Sequence, residues 1–295
     1  MNFIELIILA AVWGASFLFM RVAAPEFGPI PLMALRVGIA TLVLLPFMRS
    51  SVARGQFKAK VGHLLVVGVT SSAIPFCFFA YSSLSVSAGL DSVLNATTPL
   101  WAALIASIGF QVSMGRQQIV GLLLGFVGVV VLVCDTFDAG VSGAPLAIGA
   151  ALAATLFYGF AVHYSKRYLA GVPAFVVAFG SQFFSSIVLA PLALLLWPAH
   201  AISVSAWSCV AALGIVCTGF AYVLFFRLIE NVGAAYAASV TFLIPVFGII
   251  WGAAFLGEEL TPMMFAGGAI VLFGAAITSD KISWRRLSDF PSSIR

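Results

Sequence analysis

The feature that most limits what this chain can fold into is how far it runs without a charge. From Ser239 to Gly257, "SVTFLIPVFGIIWGAAFLG" contains no ionisable side chain, and similar runs recur along the chain. A helix needs about 20 such residues to cross the roughly 30 Å of a bilayer's hydrocarbon layer. No water satisfies the backbone there, so each run must bond its own amides and carbonyls as a helix. Charged residues make up 8% of the sequence and hydrophobic ones 62%, whereas a soluble domain carries about 25% charged residues. Breaks at Pro, Gly and charge clusters give ten spans, at about 3–23, 30–48, 62–82, 88–110, 117–135, 145–168, 173–196, 205–228, 234–256 and 262–279. The expected class is an all-α integral membrane protein with ten transmembrane helices, multi-pass in the cell inner (plasma) membrane.

A formal net charge of +4 suits nucleic-acid binding only where the cations cluster, and here they do not. Arg49, Arg54, Lys58 and Lys60 occupy one link, and Arg116, Lys166, Arg167 and Arg227 lie at others on the same side. Lys281, Arg285 and Arg286 follow the last span. The opposite links hold Asp135, Asp138, Glu258 and Glu259. This asymmetry places both termini inside, and only Arg21 and Arg36 depart from it. The lipid bilayer is the expected surroundings, and no nucleic-acid partner is expected. Cys77, Cys134, Cys209 and Cys217 sit in or at the ends of apolar runs without C-x-x-C spacing, so they read as small core residues. The first run, "FIELIILAAVWGASFLFM", lacks a basic leader and a small-residue cleavage site, and is expected to remain as a span.

The chain also repeats itself. At an offset of 146, Val86 meets Val232, Ala88 meets Ala234, Pro99 meets Pro245, Gly121 meets Gly267 and Gly128 meets Gly274. At 145, Gly14 meets Gly159, Arg21 meets Lys166 and Pro46 meets Pro191. Two five-span units follow, 1–135 and 145–280, with a basic cytoplasmic tail at 281–295. Five is odd, so the second unit crosses in the opposite sense. Such inverted repeats are an architecture of many secondary transporters, whose halves rock around a central site.

The motifs now carry a resemblance. "AAVWGASFLFMRVA" resembles the W-G-x-x-F opening, with a following basic residue, of the EamA family in the drug/metabolite transporter (DMT) superfamily. "SAGLDSVLNATTPLW" with "GLLLGFVGVVVL", and "GAAYAASVTFLIPVF" with "GGAIVLFGAAI", resemble the Ala-to-Pro and Gly-rich ends of its two halves. The family commonly has a Glu after the Pro-bearing span of each half. Here the second half has Glu258 and Glu259, and the first has Val112 and Ser113. The resemblance implies a ten-helix exporter of small organic solutes, amino acids among them, without a cofactor.

Polar groups within spans are costly and mark candidate sites. Asp91, Asn95 and Thr98 form one helical stripe beside Trp101, which either lines a substrate path or ties helices together. Asp91 reads as an interfacial acid or a proton relay. Arg36 calls for water or a carboxylate, the latter either Asp91 in a structural pair or one brought by substrate. Trp13, Phe17, Phe76, Phe79, Tyr158, Tyr222 and Tyr236 are candidate aromatic walls, whereas Trp197, Trp207 and Trp284 read as interfacial anchors. His163 is the one histidine placed for proton coupling, or else a neutral hydrogen-bonded group. Protons as coupling ion and facilitated exchange both stay open.

Pro75, Pro99 and Pro245 leave carbonyls unpaired and are expected to kink their helices. Thr261 and Pro262 read as the N-cap and first position of the last helix, with Glu258 and Glu259 beside its amides. The sequence has no H-E-x-x-H, G-x-S-x-G, phosphate loop or Cys/His cluster. The expectation is therefore a secondary transporter with no catalytic residue and no metal. An intramembrane enzyme acting on a lipid-linked substrate is the alternative.

Overall fold

The computed structural model describes residues 2–109, 113–138 and 143–279, without the side chains of 135–138, 234 and 235. The tail 281–295 with Trp284, residue Val112 and the side chains of Asp135 and Asp138 lie outside the described residues. The described residues are helical, with no strand among them. Eight helices are long and apolar enough to cross a membrane. They are α1 (Asn2–Phe27), α2 (Pro29–Arg49), α3 (Val61–Ser82), α4 (Ala88–Gly109), α5 (Arg116–Cys134), α6 (Ala144–Tyr168), α7 (Ala174–Leu195) and α8 (Val204–Val232). Two shorter apolar helices follow, α9 (Ile244–Leu256) and α10 (Pro262–Thr278). A short helix, Ser51–Ala59, carries Arg54 and Lys58 between α2 and α3, and the Ser50 hydroxyl accepts from its Ala53 amide.

Helix starts follow local chemistry. Ser87, Ser203 and Thr261 each accept an amide from the residue three positions on, at 3.2, 3.1 and 3.0 Å, which satisfies a donor the first turn leaves free. Thr261 with Pro262 behind it is the cap expected from the sequence. Gly28 and Gly233 take φ of 75° and 87° in the links between consecutive helices, a region closed to most side chains.

Four helices are interrupted inside. The helix of α4 ends at Asn95, turns through Ala96 and Thr97, and restarts at Thr98 with Pro99. Its counterpart enters as Ala234–Ala237, tightens into a 3-10 turn at Ala238–Phe242, and restarts at Ile244 with Pro245. The kinks expected at Pro99 and Pro245 are thus full breaks. A proline has no amide to return to the carbonyl four residues back, and its ring crowds that carbonyl. The Thr98 hydroxyl donates to the freed Asn95 carbonyl at 2.8 Å. Wider π-type turns occupy Val69–Ala73 of α3, just before Pro75, and Ala212–Phe220 of α8.

Lipid tails are as apolar as leucine, so these helices associate by close packing at small residues. Gly121 on α5 lies against the Gly274 carbonyl, and Gly128 against the Gly267 carbonyl, both of α10. A Cβ at either would sit 2.8 Å from those oxygens, so only glycine fits. Elsewhere Gly14 abuts the Gly248 amide, Gly159 the Ala102 amide, Gly68 the Ser181 carbonyl and Gly214 the Arg36 carbonyl. These six contacts form three pairs related by the 145–146 offset. Gly121 and Gly128 stand 146 residues before Gly267 and Gly274, and each crosses the partner of the other.

Candidate functional site

Between α2, α3, α7 and α8 lies a buried polar network. Arg36 projects from the third turn of α2 and is 5% exposed. Its Nε donates to Thr218 Oγ1 at 2.9 Å, its Nη1 lies 3.9 Å from Met20 Sδ, and its guanidinium rests 4.0 Å over the Phe76 ring. The π-type turn of α8 sets this up. It lets the Thr218 hydroxyl donate to the Leu213 carbonyl five residues back at 2.8 Å while accepting from Arg36. Such turns recur at functional sites. On the other side, Gln182 of α7 donates through Nε2 to Ser72 Oγ at 2.9 Å, inside the matching turn of α3. Tyr222 stands four residues after Thr218, on the same face of α8.

The sequence offered Asp91 as Arg36's structural partner, and that pair is not formed. Arg36 sits seven residues into α2, about 10 Å below its start, whereas Asp91 is in the first turn of α4. Asp91 is fully buried and accepts from Ser82 Oγ at 2.6 Å. Its other oxygen has no partner. Arg21 donates to the Ser83 carbonyl at 2.6 Å and does not reach that oxygen. Among the described residues the ion pair is Arg227–Glu5, at 3.1 Å.

The aromatic candidates divide. Phe17 meets Phe79 edge-on at 5.5 Å and Phe79 stacks on Tyr158 at 6.1 Å, joining α1, α3 and α6 around the Arg36 network. Trp13 instead tilts against Phe225 at 5.3 Å, and Tyr236 packs with Leu9 and Leu224. Trp101 meets Phe126 edge-on at 5.1 Å, its indole nitrogen buried without a partner. Next to it His163 Nε2 is 2.9 Å from the Ala102 carbonyl, which the ring N–H must serve as donor. Asn95 is half-buried at the α4 break, and Thr97 bonds Thr155 of α6 across it at 3.1 Å. Trp197 and Trp207 both pack on Phe27 and stay 43% exposed.

Glu258 does something the sequence did not suggest. Its carboxylate accepts from the amides of Ala88 at 2.7 Å and Gly89 at 3.1 Å, capping α4 rather than α10. Gly252 makes room for it, because a Cβ there would overlap Glu258 Oε2. The two contacts join the α9–α10 turn to α4 across 170 residues of chain. Glu258→Ala is therefore expected to lower stability by about 1 kcal/mol, as for loss of a helix cap, with Gly252→Ala acting in the same direction. Thermal unfolding in detergent measures both, and an unchanged midpoint in both variants counts against the cap. At a neighbouring link, Glu26 accepts from the Ser203 amide and hydroxyl, each at 2.7 Å.

Two apolar cavities lie away from Arg36. One of about 630 Å³ is bounded by Val93, Pro245, Ile249, Met264 and Gly268, and one of about 790 Å³ by Pro29, Phe78, Tyr81 and Leu146. Thr218, Ser72 and Gln182 went unnoticed in the sequence because lone short polar residues in apolar helices read as packing. A signal was present, since Ser72 and Thr218 are hydroxyls matched at an offset of 146.

Long apolar helices wrapped around buried, partly unpaired polar groups define a multi-pass membrane protein with a candidate solute site. The sequence matches the EamA-like transporter family over residues 3–134 and again over 145–280, and the chain belongs to that family. An Escherichia coli relative named "Probable amino-acid metabolite efflux pump" is 23% identical, over 95% of each chain. One from Streptantibioticus cattleyicolor, named "Probable terminal-alkyne amino-acid exporter", is 22% identical over 95% of this chain and 94% of its own. A solved crystal structure shares the fold with a TM-score of 0.65 at 21% identity, covering 96% of this chain and 98% of the other.

Proposed function

We propose that this protein is a secondary transporter of the inner membrane that exports small amphipathic metabolites such as amino acids. In this reading its ten helices form two inverted repeats, 1–135 and 145–280, with both termini and the tail 281–295 in the cytoplasm. The observation that carries the reading is the pairing of contacts. Gly121·Gly274 answers Gly128·Gly267, Gly14·Gly248 answers Gly159·Ala102, and Gly68·Ser181 answers Gly214·Arg36. The breaks at Pro99 and Pro245 follow the same offset. Two like halves packed around one buried centre can exchange conformations and so alternate access to it. The names of the relatives bring amino acids to the proposal.

The candidate lining divides by region. Phe17, Phe76, Phe79, Tyr158 and Tyr222 surround Arg36, and Asn95, Thr98, Trp101 and His163 follow the α4 break. Asp91 stands in the first turn of α4, and Trp13 packs against Phe225 of α8. Purified protein in liposomes, given a panel of labelled amino acids with and without a pH gradient, tests the reading and its ion coupling together. Net flux is the expected result. Absence of flux for the whole panel, with chemical change of a lipid-linked substrate, would replace it by an intramembrane enzyme. Asn95→Ala and Trp101→Ala are expected to lower flux roughly twofold to tenfold, the worth of one hydrogen bond, without loss of folded yield. Unchanged flux in both variants removes α4 from the path.

A further inference from the structure

The Arg36 network is unbalanced, and the imbalance describes a ligand. Arginine keeps its charge at any working pH and presents five N–H donors in a planar fork. Here Nε is taken by Thr218, Nη1 faces only a thioether sulfur, and no described carboxylate is within ion-pair distance. The Phe76 ring beneath it supports the charge without using the in-plane N–H groups. Gln182, bonded to Ser72 inside the matching turn of α3, shows the opposite deficit. Its Nε2 is satisfied by Ser72, while its Oε1 is fully buried and accepts nothing. Burying an acceptor or a cation without a partner is costly. A solute that brings an anionic acceptor and a nearby donor removes both deficits at once.

We propose that Arg36 and Gln182 form a recognition subsite for α-substituted carboxylates. The carboxylate goes to the free edge of the Arg36 guanidinium, and the adjacent ammonium or hydroxyl donates to Gln182 Oε1. The remainder of the solute lies against Met20, Phe17 and Phe79, so an apolar or aromatic side chain fits. This deepens the transport reading, and it widens the cargo from amino acids to α-hydroxy acids. The offset pairs Arg36 with Ser181, so one half supplies the cation and the other, through the adjacent Gln182, the acceptor. That difference gives a bound solute a fixed direction across the centre.

The test is binding of tritiated L-phenylalanine to purified protein, competed by L-3-phenyllactate, 3-phenylpropionate and L-phenylalaninamide. Wild type should bind phenylalanine and phenyllactate alike. The amide, which lacks the carboxylate, should bind roughly tenfold to a hundredfold more weakly, as for loss of a hydrogen bond to a charged group. Gln182→Leu should erase the advantage of phenyllactate over phenylpropionate. Arg36→Gln should abolish the preference for a carboxylate. Thr218→Asp should do the same with the arginine still present, because it supplies Nε with an internal carboxylate; it decides the matter should Arg36→Gln fail to fold. Equal affinity for the amide, a carboxylate preference that survives Thr218→Asp, or no binding of any probe to wild type overturns the subsite. Flux in liposomes is scored separately, so binding without flux removes the transport reading and leaves the subsite standing.

Discussion

Gly274→Leu is expected to leave almost no folded protein, whereas Gly268→Ala on the same helix should be recovered at the wild-type level. A Cβ at Gly274 overlaps the Gly125 amide and lies 2.6 Å from the Gly121 carbonyl, so α5 and α10 would have to part. Neither obstacle is a side chain that can rotate away. Overpacking in a core costs about 1–3 kcal/mol, and more where side chains cannot adjust. Against a typical stability of about 5–15 kcal/mol this threatens the fold outright. At Gly268 the nearest atoms are the methyls of Val93 at 3.6 Å, an ordinary contact that an added methyl accepts. Size-exclusion chromatography of a fluorescent fusion measures both. Monodisperse Gly274→Leu protein at normal yield would mean that this crossing does not hold the bundle together.

The second large effect is on transport. Pro99→Ala with Pro245→Ala should leave folded yield unchanged or raised while flux falls by about tenfold or more. Alanine at 99 returns an amide to the Asn95 carbonyl, which the Thr98 hydroxyl now serves. The helix of α4 can then run on through Ala96 and Thr97. Alanine is favoured over proline inside a helix by about 3 kcal/mol, and a bias of about 1.4 kcal/mol toward one conformation is already tenfold. Each single variant should fall between wild type and the double variant, since the two sites are separate. Flux at the wild-type level in the double variant would show that the breaks are not the moving parts.

Much of the scaffold was legible because the bilayer imposes one rule on every span. The run length marked the helices, and Thr261–Pro262 marked the start of α10. The matched glycines were visible as a repeat, but not as contacts, since sequence spacing does not say which helices cross. Arg36 stood out as an expensive charge, yet depth along a helix decided its partner. Its seven-residue offset from the start of α2 put it beside Thr218 and Phe76 and out of reach of Asp91. Thr218, Ser72 and Gln182 were missed because their meaning lies in a network spread over four helices. Glu258 was read correctly as a cap but assigned to the wrong helix. The slot opened by Gly252 toward α4 depends on tertiary packing alone.

The crossing of α5 and α10 also bears on how such a chain comes to exist. Gly121 and Gly128 see in α10 what Gly267 and Gly274 see in α5, so the face is complementary to its own image. A surface of that kind is the isologous interface of a homodimer. If the chain is two inverted five-helix halves, as proposed above, a single half bearing this face would pair with a second copy inserted the other way up without a linker. Joining the copies then removes the translational and rotational entropy lost on association. It also frees corresponding positions from identity, so that one half keeps Ser181 where the other places Arg36. The glycines that still match are the ones on which this crossing depends; in the transport reading proposed above, residues that no longer match, Arg36 and Ser181 among them, would give the centre its direction.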